Sequence, residues 1–240
     1  MPVIEWSEAL QLGDAATDAN HVEFCALLNA VADAPDAEFI AALVGEPGAR
    51  AEKVVGDALR AAVRGALRSI ASIKTSLSPE EQKNYTMAVV NSGLIVSKSA
   101  NDRSASVPVA LMAQASMTEV GRNLAASGIS SLSLTDVLKE VAANSVSYLG
   151  NLKVSDDQLV DSVAAIAAGL SSGASNENTV NTISKTVANA VSGQLPSLGL
   201  EAERLTNAVK LISAKIVEGL SGTSLSAQVL TDAKAGLSEG

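Results

Sequence analysis

The chain has 240 residues, of which 47% are hydrophobic and only 2% aromatic, and its formal net charge is −9. A core of Ala, Val, Leu and Ile with almost no aromatic residues favours closely packed helices over a β-sandwich. One cysteine excludes an intrachain disulfide framework and fits a reducing compartment, so a cytoplasmic, soluble protein is expected.

The charge is unevenly spread. Residues 1–49 hold nine acidic residues and no Lys or Arg, whereas residues 50–240 hold 17 of each sign. No basic stripe is present, which argues against nucleic acid and anionic membrane as partners. The opening "MPVIEWSEAL" has two Glu and no basic residue, unlike a secretory leader. The longest runs between charged residues are 15 long, such as that between Lys185 and Glu201, too short and too polar for a membrane span.

In chain order, Asp14 is a possible helix cap after Leu12-Gly13. On the helix predicted to follow, His21, Phe24, Cys25, Leu28 and Ala32 share one face. "GEPGAR" (45–50) carries helix-stop chemistry. Composition changes there too: Trp6, Phe24 and Phe39 precede it, and serine occurs once in residues 1–50 and 29 times afterwards. This predicts two regions, an acidic segment at 1–48 and a Ser/Ala-rich helical region at 49–240. A natural fusion, a recombined or frame-shifted gene, or an artificial sequence would each leave such a discontinuity.

Past the boundary, apolar residues recur at helical spacing. Val55, Leu59, Ala62, Ala66, Ile70 and Ile73 form the first stripe. Ser78-Pro79-Glu80-Glu81 reads as a capping box. Residues 88–99, "AVVNSGLIVSKS", suit a helix or a strand and are read as helix. Ser133 with Asp136 is a further possible cap, and Ser155-Asp156-Asp157-Gln158 is a second capping box. Further stripes are Leu159, Val163, Ile166 and Leu170; Val180, Ile183, Val187 and Val191; and Leu205, Val209, Ile212, Ile216 and Leu220. Gly and Ser clusters such as "GLSSGASNEN" are expected to punctuate the helices. The abundant Gly and Ala predict contacts between small residues, and Ser and Thr within the helices predict modest stability.

The predicted fold is all-α, a multi-helix bundle or irregular array of about eight to nine helices. From Ser133 onward, helix starts recur every 21–24 residues. This is shorter than the roughly 33–47 residues of common helix-pair repeats, so a plain bundle is expected, with a loose helix-hairpin array as the alternative.

Little in the sequence indicates chemistry. The pairs Glu80-Glu81 and Asp156-Asp157 sit at helix starts, where they complement the dipole. Glu52, Asp57, Glu119 and Glu140 are expected at caps or on polar faces. "GLSSGAS" lacks the Lys and the strand-to-helix context of a phosphate loop. Met87, Met112 and Met117 read as core filler. No catalytic residues are expected.

The N-terminal residues carry a resemblance. Trp6, Leu12-Gly13, Asp18 three before His21, Phe24 and Leu27-Leu28-Asn29 resemble the start of the hemerythrin family over about residues 3–44. Asn20 stands where that family usually has Gln. The resemblance implies a four-helix bundle holding two oxo-bridged irons that bind oxygen reversibly, with His21 as the first iron ligand. The family's further His ligands have no counterpart, because the chain has a single histidine. Three readings of His21 stay open: a packed histidine with satisfied nitrogens, a weak metal site with Cys25, Asp18 or Glu23, or the remnant of a lost site. The expected function is that of a non-catalytic structural or interaction module without a cofactor, self-associating or binding a protein partner. Iron and oxygen binding is the alternative.

Overall fold

A computed structural model describes residues 49–73, 77–103, 107–127 and 130–238. They form eight α-helices and no strand: α1 (Ala49–Ser72), α2 (Pro79–Arg103), α3 (Val109–Ala126), α4 (Ser131–Asn151), α5 (Asp156–Ala174), α6 (Val180–Gln194), α7 (Ala202–Ser221) and α8 (Ala227–Ser238). A 3-10 turn, Leu195–Leu198, follows α6 and ends at Gly199, whose φ of 70° is the left-handed conformation that glycine adopts without strain. The all-α expectation holds, and residues 88–99 are helical within α2. No helix of the described residues is long and apolar enough to cross a membrane.

The helix starts follow from local chemistry. At α2 the backbone N–H and hydroxyl of Ser78 both donate to the Glu81 carboxylate (2.7 and 2.6 Å), and the Glu81 N–H donates back to the Ser78 hydroxyl. These bonds hold the Glu81 carboxyl below its usual range, chiefly through the Ser78 side chain. At α5 the Ser155 and Gln158 box closes in both directions. The cap of α4 is Ser130 rather than Ser133: Ser130 has the extended ψ of 152° that lets its hydroxyl accept the Ser133 N–H. Ser133 is already inside the helix.

The apolar stripes face inward. Those of α5 and α6 are buried throughout, and that of α1 is buried from Val55 to Ala66 and half-buried at Ile70 and Ile73. The stripe of α7 needs one correction. Val209 is 48% exposed, and Ala208, fully buried, takes the inward position between Leu205 and Ile212.

Alternate helices stack. α1, α3, α5 and α7 pack in sequence as one row, and α2, α4, α6 and α8 as a second row laid against it. Of the two arrangements the sequence allows, this order is that of a helix-hairpin array. α5 lies at the centre, and every residue from Ser162 to Ser171 is buried. A helix apolar on all sides belongs inside.

The centre is built on glycine. A Cβ on Gly169 would lie 2.6 Å from the Gln114 carbonyl oxygen and 2.8 Å from the Met117 Cβ, and one on Gly121 would lie 2.7 Å from the Leu170 carbonyl oxygen. Gly173 likewise meets the Thr118 backbone. The backbones of α3 and α5 therefore touch along Gly169, Gly173 and Gly121. The small-residue contacts expected from composition are found here, with one difference in meaning. Gly169 and Gly173 of "GLSSGASNEN" do not end the helix; they lie within α5 and allow α3 to approach.

Candidate functional site: a buried carboxylate beside two cavities

α3 carries Glu119 into the interior, where it is 1% exposed. Arg64 of α1 reaches across from 55 positions earlier. Its Nε donates to Oε2 at 2.9 Å and its Nη2 to Oε1 at 3.0 Å, a bidentate fork. Arg122, one turn along α3, donates its Nη1 to Oε1 at 3.0 Å. Asn123 Nδ2 donates to the Glu119 backbone carbonyl at 2.8 Å. Burial by itself would raise the Glu119 carboxyl, but the bonds and charges of Arg64 and Arg122 outweigh it and hold it below its ordinary value. The same bond raises Arg64, so both partners stay charged.

Two cavities adjoin this cluster. An open cleft of about 480 Å³ is lined by Arg64, Arg68, Glu119, Arg122 and Asn123, with Ala71, Ala126 and Ser127. A chamber of about 310 Å³ lies among α1, α2, α3 and α4, walled by Leu67, Ile70, Met87, Leu124, Val137 and Val141. The Lys83–Glu140 ion pair, 2.5 Å long, closes part of its wall. Ala71, Asn123 and Ser127 belong to both cavities. Arg68 is exposed and forms no ion pair among the described residues.

The residues singled out from sequence fare differently. His21, with Cys25, Asp18 and Glu23, lies outside the described residues, as does the cap at Asp14. Glu52 lies half-buried in the first turn of α1, and Asp57 is on the surface as expected, paired with Lys53 and Arg60 at 2.7 and 2.9 Å. Asp156 and Asp157 start α5 and share Arg204 of α7, each at 3.1 Å. Met112 and Met117 are buried core residues, while Met87 lines the apolar chamber. Glu119 departs from its expected place on a polar face. Met112, Ser116 and Glu119 follow the i, i+4, i+7 spacing of a buried stripe, and Arg122 three residues on was the available hint. Nothing local pointed to Arg64. Among the described residues no three His, Cys, Asp or Glu side chains gather into a metal-ligand group.

A stretch of 43 residues is 77% identical to the bacteriohemerythrin of Ralstonia nicotianae. The chain carries a hemerythrin-like segment. Its length suits the resemblance read over about residues 3–44. The match takes in 18% of this chain and 31% of the relative, so the chain spans about a third of the length of the curated protein it matches. No family model matches the chain. Most of the sequence, and with it most of the helical array, lies beyond the hemerythrin-like segment.

Proposed function

We propose that the chain is a non-catalytic helical interaction module whose hemerythrin-like segment lacks a hemerythrin ligand set. One observation carries the reading. The whole sequence holds a single histidine, and a hemerythrin-type iron pair takes several imidazoles with two bridging carboxylates. The residues present do not fit that group. Nor do the described helices offer a substitute: Glu119, the buried carboxylate among them, is taken up by Arg64 and Arg122. A carboxylate held by two guanidiniums is a poor metal ligand, because the cation would have to displace both.

An interaction role fits the two-row array, whose stacked helices offer extended faces. The outer face of α7 is largely polar, with Glu203, Thr206, Asn207, Lys210 and Glu218 exposed. Self-association or a protein partner would therefore use mixed polar surface rather than a bare apolar stripe, since Val209 is the large exposed hydrophobic among the described residues. The single cysteine supports a reducing, cytoplasmic setting.

The likeness to a bacteriohemerythrin favours a second reading, in which His21 binds iron and a second copy contributes its own His21. Elemental analysis of protein expressed with iron and purified without chelator, with a visible spectrum in air, decides between the two. The first reading expects no stoichiometric iron, with His21→Ala costing some stability and leaving the metal content unchanged. Two irons per pair of chains, about one per chain, with an oxo-bridge absorption, lost in His21→Ala, would establish the second.

A further inference from the structure

We propose that the α1–α4 end of the array binds a medium-chain fatty acid, with its carboxylate on Arg68 and Arg122 and its acyl chain in the apolar chamber. Three guanidiniums, those of Arg64, Arg68 and Arg122, face the cleft against the one carboxylate of Glu119, leaving a net charge of about two positive there. Glu119 uses two of the five N–H donors of Arg64 and one of those of Arg122, so it fixes both side chains without exhausting them. Arg68 has all its donors free of ion pairs among the described residues. The planar fork of Arg122, held by Glu119, matches a carboxylate and its fixed geometry lowers the ordering cost of binding, while Arg68 supplies the unengaged second guanidinium.

The apolar part adjoins the charged part. The chamber and the cleft share Ala71, Asn123 and Ser127 as walls, so a ligand lying across them has a tail environment on one side and a cationic one on the other. About 310 Å³ for the tail falls at the small end of the ~300–1,000 Å³ range of small-molecule sites, which suits a medium-length chain rather than a long one. Lys83 does not compete for the head group, since Glu140 already neutralises it. The proposal uses residues of α1–α4 and is independent of whether the hemerythrin-like segment takes iron.

The test is calorimetric titration of the full chain with decanoate below its micelle concentration, beside decan-1-ol and butyrate. The expected result is saturable 1:1 binding of decanoate, at least about tenfold tighter than either the uncharged chain or the short acid. Arg68→Glu should weaken decanoate by about tenfold or more and leave decanol unchanged. It is suited to the purpose because Arg68 is exposed and outside the Glu119 cluster. Val137→Trp should weaken both, with circular dichroism confirming that each variant is folded. Absence of saturable decanoate binding overturns the proposal, as does binding that neither variant alters. Binding to phosphatidylglycerol vesicles without binding to monomeric decanoate also overturns it, because the charged face would then be reading a lipid surface and not a single acyl chain.

Discussion

The interior of this protein holds one charged side chain among the described residues, and Glu119 shows what that requires. A lone buried carboxylate would protonate rather than remain an ion. It stays ionised because Arg64 and Arg122 reach it while their own heads keep water on one side, at 41% and 59% side-chain exposure. Removing the carboxylate in Glu119→Ala leaves Arg64 without its bidentate partner and should cost on the order of 2 kcal/mol in urea unfolding at neutral pH. Arg122→Ala removes a mostly exposed i, i+3 partner and should cost about 1 kcal/mol or less. The pH dependence follows from the direction of the shift. The Glu119 carboxyl is lowered in the folded state from its ordinary 4.5, so the unfolded chain takes up the proton first. The stability it contributes is complete above the ordinary value and disappears as pH falls through the lower folded value. Asp57 and Glu81 are shifted in the same direction but lie on the surface. Comparing wild type with Glu119→Gln below pH 4.5 isolates the buried group: the variant should lose a smaller part of its stability on acidification. Parallel acid curves for the two proteins would rule this account out.

Between helices, the decisive residues are those with the least side chain. The contact of α3 with α5 depends on Gly169, where a methyl group would meet the Gln114 carbonyl and the Met117 Cβ, neither of which is the free end of a flexible chain. Gly65, on the outer side of α1, has nothing within 4 Å of the same position. Alanine therefore has opposite effects at the two sites. Gly65→Ala should gain about 0.5–1 kcal/mol from helix propensity. Gly169→Ala has the same propensity gain but forces two helices apart, and a net loss of about 1–3 kcal/mol is expected in the same denaturation series. A gain at both sites would mean that the close approach of α3 and α5 is not required. These glycines mark the limit of what sequence makes legible. The stripes of α1, α5 and α6 follow from periodicity, because burial on one face imposes it. The boxes at Ser78 and Ser155 follow because their bonds span three residues. The glycine pairing does not, since a glycine that breaks a helix and one that admits a neighbour look the same until the neighbour is placed. Ser116, Ser162 and Ser184 are buried with no hydrogen-bond partner for their hydroxyls among the described residues, so a polar letter marked an interior position. The Arg64–Glu119 pair was hidden for a different reason, since only the stacking of α1 on α3 brings its members together.

At the scale of the molecule, packing of each helix on the next but one makes stability local. A helix in either row touches its row neighbours and the facing row, and among the described helices the row ends, α1 and α7 in one row and α2 and α8 in the other, have a row neighbour on one side only. In such an array the free energy of opening a unit depends on its own contacts and those next to it, not on the whole. α5 has neighbours on both sides within its row, faces α4 and α6 of the other, and exposes nothing between Ser162 and Ser171. Native-state amide exchange should therefore be slowest in that stretch of α5, faster in α3, and fastest in row-end helices such as α1 and α8. Protection at one common level across all eight helices would instead describe a single cooperative bundle and contradict the array. The gradient bears on function as well. The cavities beside Glu119 lie among α1–α4, toward the end of the rows and away from their centre. A ligand held there stabilises the part that opens most easily, by an amount set by its concentration relative to its dissociation constant. Exchange in α1 and α2 should then slow when the site is filled while α5 stays as it was, because α5 opens by a route the ligand does not touch.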